Sequence, residues 1–124
     1  MDEESIKAMQ YELHRLHSSQ TQLENSCFYL RNKKDEADRD YAEARENYLA
    51  IKAAPVVLIE ECARAKTRYT ETMVSRLVTT NDLQLQEKEL KSLESLIKIT
   101  ERALLKQEIA LELKRKVIPF HAKR

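Results

Sequence analysis

Counting alternately by three and four residues from Ile6 reaches Met9, Leu13, Leu16, Gln20, Leu23, Cys27, Leu30, Lys34, Ala37, Tyr41, Ala44, Tyr48 and Ile51. A helix returns a residue to the same face about every 3.5 positions on average, so an apolar count held this long without slippage commits the first segment to one helix. Gln20 and Lys34 are its only strongly polar members. A stripe this narrow is not stable on a lone helix in water and needs a partner stripe to cover it.

The stripe changes character along its length. Leu, Ile and Met fill the first part, whereas Ala37 and Ala44 alternate with Tyr41 and Tyr48 in the second. Small residues let a neighbouring helix approach, and each Tyr ring needs a gap to lie in, so the partner surface must match the alternation. The charge-dense run "RNKKDEADRD" at 31–40 reads as a solvated helical face of mixed sign.

The same count continues past Ile51 to Pro55, Leu58, Cys62, Ala65 and Tyr69. Preserved phase favours a kinked helix running through. A proline inside a helix, however, costs about 3 kcal/mol, while at a first helical turn it costs nothing extra, which favours a fold-back. "AAP" offers no capping Ser, Thr, Asp or Asn, so both readings stay open. Beyond Tyr69 the stripe reads as shifting to Met73, Val74, Leu77 and Val78, and "TTND" at 79–82 reads as a break with Asn81 or Asp82 as the N-cap of a last helix. A seam of Leu83, Leu90, Leu93, Ile97, Leu104 and Leu111 then runs toward Pro119, which is expected to end the regular structure. Leu96, Ile99, Ala103, Leu105, Ile109, Ala110 and Leu113 lie outside that seam, so the last helix is expected to touch at least two neighbours.

Composition agrees with helix throughout. The 124 residues include no Gly, two Pro and 35% charged side chains, too few breakers for a fold that turns every dozen residues. The expected fold is all-α, in one domain over 1–124. It is an elongated antiparallel coiled-coil hairpin of long N- and C-terminal helices, with a middle helix and a break near Pro55. The expected helices are Ser5–Ala53, Val56–Val78 and Asp82–Ile118. A kinked rod paired in parallel as a homodimer is the competing arrangement.

Chemistry is sparse. His14 and His17 stand one turn apart with only Glu12 nearby, short of the ligand set a zinc ion needs, and no metal or cofactor is expected. Cys27 and Cys62 occupy stripe positions without a neighbouring base, so buried free thiols are the expectation, and nucleophilic catalysis is not. No glycine exists to cradle a phosphate, and the carboxylates sit in mixed-sign runs, so the chain is not expected to be an enzyme. With 22 basic and 21 acidic residues, a net charge of +1 gives no field toward nucleic acid, which is not the expected partner. Asp2, Glu3 and Glu4 open the chain, and Lys114, Arg115, Lys116, Lys123 and Arg124 form a basic end whose ordinary meaning is solvation. Its sharper meaning is a nucleic-acid or membrane-surface contact. No apolar run is long enough to span a bilayer, and the acidic start does not resemble a signal peptide, so a cytoplasmic location is expected.

The functional expectation is a non-enzymatic coiled-coil adaptor or scaffold subunit that binds a helical protein partner in a multi-subunit complex. Its candidate partner-binding residues are Tyr41, Ala44, Tyr48, Ile51, Leu58 and Tyr69. The three tyrosines either fill the seam or form an exposed aromatic patch at a hairpin tip, and the heptad spacing favours the seam. In size, lack of glycine, two long terminal helices and a central break at Pro55, the chain resembles the central-stalk proteins of bacterial flagellar and type III secretion export ATPases. The resemblance implies a cytoplasmic two-helix coil whose ends enter a hexameric ring while its middle faces the export gate.

Overall fold

In the computed structural model, which describes the backbone of residues 3–122 and the side chains of residues 3–116, the chain is an all-α hairpin. Its two helices are α1 (Glu3–Ala53) and α2 (Ile59–Ala122). Every member of the stripe from Ile6 to Ile51 is buried or half-buried, while most of the residues between are exposed.

The chain reverses over residues 54–58. Pro55 has no N–H to continue α1 and drives Ala54 away from the helical region, leaving the Ala54 amide to donate to the Ile51 carbonyl at 3.3 Å. Helical bonding resumes where the Cys62 amide donates to the Leu58 carbonyl at 2.9 Å. Glu60 and Glu61 in the first turn of α2 offset its N-terminal dipole in the absence of a side-chain cap. No described residue takes a positive φ, so the reversal needs no glycine.

There is no separate middle helix. α2 runs unbroken from Ile59 through Thr79, Thr80, Asn81 and Asp82, so the expected break and N-cap at "TTND" are overturned. The expected shift to Met73, Val74, Leu77 and Val78 is overturned with them, because all four are exposed. The seam instead keeps its phase from Cys62, Ala65 and Tyr69 through Thr72, Arg76 and Thr79 to Leu83. Thr72 and Thr79, each only 5% exposed, donate their hydroxyls to the carbonyls of Tyr69 (2.9 Å) and Ser75 (2.8 Å). A threonine whose hydroxyl is satisfied by its own helix has only a methyl left to pack, and behaves in the seam as a small apolar residue. α2 also continues past Pro119 to Ala122.

The residues group into two compact units. The terminal unit (Met1–Glu24 with Glu89–Arg124) buries Ile6, Leu16, Ile97 and Leu104 between its helices. His17 Nε2 lies 3.6 Å from Glu101 Oε1 across this seam, and Arg115 pairs with Glu3. The turn unit (Asn25–Lys88) buries Cys27, Leu30, Ala37, Ala44, Ala65, Thr72, Thr79 and Leu83. Arg31 lies 3.7 Å from Glu87 and Arg76 2.8 Å from Asp38. In each unit rising numbers on α1 meet falling numbers on α2, so the pairing is antiparallel.

Candidate functional site

The seam of the turn unit holds the tyrosines singled out by the sequence. Tyr69 of α2 lies between Tyr41 and Tyr48 of α1, with ring centroids at 5.5 and 5.6 Å and tilted planes, the arrangement favoured by ring quadrupoles. The hydroxyls of Tyr41 and Tyr69 share a hydrogen bond at 3.4 Å. This bond holds the Tyr41 hydroxyl proton on above the ordinary tyrosine range.

Charges enclose the rings. The Arg76 guanidinium lies 4.7 Å from the Tyr41 centroid while its Nε donates to Asp38 Oδ1 at 2.8 Å. Lys34, a polar member of the stripe, lays its stem along the seam and donates its ammonium to Asp38 Oδ2 at 2.9 Å. Hydrogen bonds from Lys34 and then Arg76 hold the Asp38 carboxyl below the usual range despite partial desolvation. Arg76, at a seam position too long and charged to be buried, is thus turned outward over an aromatic face.

These contacts set the register. Tyr69 stands equally far from Tyr41 and Tyr48, at the level of Ala44, and counting outward brings Ala65 opposite Tyr48, Thr72 opposite Tyr41 and Thr79 opposite Lys34. Each small residue therefore faces a long one: Ala44 faces the Tyr69 ring, and the buried threonines Thr72 and Thr79 face Tyr41 and Lys34. Of the candidate partner-binding residues, Tyr41, Tyr48 and Tyr69 come together half-buried, Ala44 is buried in the seam and Ile51 half-buried. Leu58 stands apart, exposed at the reversal.

A second surface escapes a search that assumes apolar residues lie inward. On α2 within the turn unit, Met73, Val74, Leu77, Val78 and Leu85 are exposed on the side away from the seam. Within the terminal unit Leu96, Ile99, Leu105, Ile109 and Leu113 are exposed on α2. α1 is sparser, with Tyr11, Phe28, Tyr29 and Leu49 scattered along it. Placing the heptad phase first, and only then asking which apolar residues it leaves out, would have found this face.

His14 and His17 are exposed, and His17 Nδ1 lies 3.3 Å from Gln20 Oε1. No cluster of three or more His, Cys, Asp or Glu able to hold a metal ion occurs among the described residues. Cys27 is buried and Cys62 half-buried, both as free thiols. Lys116 lies 3.7 Å from Glu112; Asp2, Lys123 and Arg124 lie outside the described residues, as does the side chain of His121. No described helix is long and apolar enough to cross a membrane. Comparison with protein-family models, curated proteins and solved structures returns no match.

Proposed function

We propose that the chain is a non-enzymatic interaction module. In this reading it is a single coiled-coil domain serving as adaptor or scaffold subunit of a larger cytoplasmic assembly. The observation that carries it lies in one stretch of α2. Between residues 72 and 79 the buried positions are threonine, while Met73, Val74, Leu77 and Val78 face solvent, Leu77 at 63% exposure. Exposing aliphatics on consecutive turns has a cost in water that a covering partner removes. The partner that suits a helical ridge with such spacing is another helix, laid along Val74, Leu77 and Val78.

The test is the behaviour of the full chain in extract from cells that express it. Wild type should migrate in a complex heavier than its own monomer, and Val74→Asp with Leu77→Asp should release it without lowering its melting temperature. Migration of the wild type as a bare monomer contradicts the reading. A second reading, the central stalk of an export ATPase, draws on the hairpin of two long helices joined by a short turn. It predicts faster hydrolysis when the chain is mixed with such a hexameric ATPase. An unchanged rate removes it.

A further inference from the structure

Turns between helices are ordinarily built from Gly, Pro, Asn, Asp and Ser, whose backbone or side-chain chemistry suits the bend. Residues 53–59 here read Ala-Ala-Pro-Val-Val-Leu-Ile. Val56, Leu58 and Ile59 are 78%, 60% and 84% exposed, and Val57 is exposed beside them. The last covered seam residue of α1 is Ile51 and the first of α2 is Cys62, so none of the four packs into the hairpin. Polar residues at 56–58 would make the same bend at lower cost, so the fold does not account for four aliphatic side chains in a row.

On the α2 side the charge beside this patch is mainly acidic. Lys52, the nearest cation on α1, places its Nζ over the Tyr48 ring at 5.9 Å, back along the helix. Glu60 and Glu61 adjoin the patch and form no ion pair among the described residues. Val57, Leu58 and Ile59 share a surface depression of about 460 Å³ with both carboxylates, and Arg64 closes its edge. Two carboxylates, partly offset by the N-terminus of α2 and by Arg64, leave a mildly acidic border on the α2 side of the apolar surface.

We propose that Val56–Ile59 is a docking tip that seats in an apolar pocket with a basic rim on another protein. This deepens the interaction-module reading and rests on it. The neighbouring carboxylates decide against the other occupants. An anionic bilayer surface would repel Glu60 and Glu61, and a second copy packed tip to tip would bring like charges together.

The experiment places a photo-crosslinking residue at Ile59, or in a parallel arm at Leu77, in the full chain inside cells that express it. The crosslinked residue on any captured protein is mapped, and that protein is then titrated with the full chain. The tip predicts attachment at Ile59 within an apolar pocket bordered by Lys or Arg. Val56→Ser with Ile59→Ser should then weaken binding about tenfold or more, with the melting temperature unchanged. Glu60→Lys with Glu61→Lys should weaken binding most at low salt. Attachment to a second copy, attachment to a surface without a pocket or basic rim, or co-sedimentation with phosphatidylcholine–phosphatidylserine vesicles would each overturn it. Silence at Ile59 with attachment at Leu77 removes the tip and leaves the module reading standing. Silence at both removes both.

Discussion

The terminal unit joins its helices with branched aliphatic side chains, and the turn unit adds alanine, threonine and tyrosine to Cys27, Leu30 and Leu83. Ile6, Leu16, Ile97 and Leu104 are interchangeable in kind, so burial holds their helices together but discriminates weakly between registers. In the turn unit, where Tyr69 lies at the level of Ala44, a slip of one heptad would either set Ala44 opposite Cys62, leaving a void, or crowd Tyr69 against Ile51. The two units divide the labour. Aliphatic burial supplies stability in one unit, and the alternation of small and aromatic residues specifies alignment in the other.

The largest expected effect separates the two directly. Ile97→Ala, which empties a site only 4% exposed, should cost about 2–5 kcal/mol in urea unfolding, whereas Thr79→Ala in the turn unit should cost about 1 kcal/mol. Equal losses would break the comparison. Next comes the opposite insult. Ala44→Leu should cost about 1–3 kcal/mol, because the layer it shares with the Tyr69 ring has no room for the added carbons. A neutral outcome in the same unfolding assay would show that the turn unit packs loosely.

Much of this was legible beforehand, and the failure is instructive. The α1 stripe could be counted to its last member, but the count carried across Pro55 did not mark a continuous face: Pro55 and Leu58 are exposed, the chain reverses, and the α2 seam begins at Cys62. The phase of α2 was lost at Thr72, Arg76 and Thr79, where three polar residues occupy seam positions and four aliphatic neighbours suggest a different face. Continuing in sevens from Tyr69 lands on Arg76, Leu83, Leu90, Ile97, Leu104 and Leu111, so the signal was present. Asn and Asp suit helix caps and exposed helix surfaces alike, and Thr79 is buried in the seam once Ser75 accepts its hydroxyl, so tertiary packing decided the outcome at 79–82. The tyrosine cluster followed from spacing. The outer aliphatic face did not, because it depends on knowing which positions the seam leaves out.

Smaller effects sharpen the picture. Gln86 and Gln107, one in each unit, bury a side-chain carbonyl oxygen that accepts no hydrogen bond. Gln86→Leu should stabilise the hairpin by about 1 kcal/mol in thermal unfolding, and a loss would show that this amide has a partner. The smallest effect is in pH. Because the Asp38 carboxyl is held below its unfolded range, its contribution is present at neutral pH and lost as pH falls through the folded value. With the pair partly exposed, the contribution should stay below about 1 kcal/mol and vanish in Asp38→Asn, as read from melting temperature against pH.

The continuity and phase of α2 carry the rest, and a pair of cysteines tests them most directly. In the full chain, Lys34→Cys combined with Thr79→Cys should close a disulfide within one molecule under mild oxidation, while Lys34→Cys with Val78→Cys should not. Closure at Val78 in preference to Thr79, or linkage only between molecules, would contradict the account.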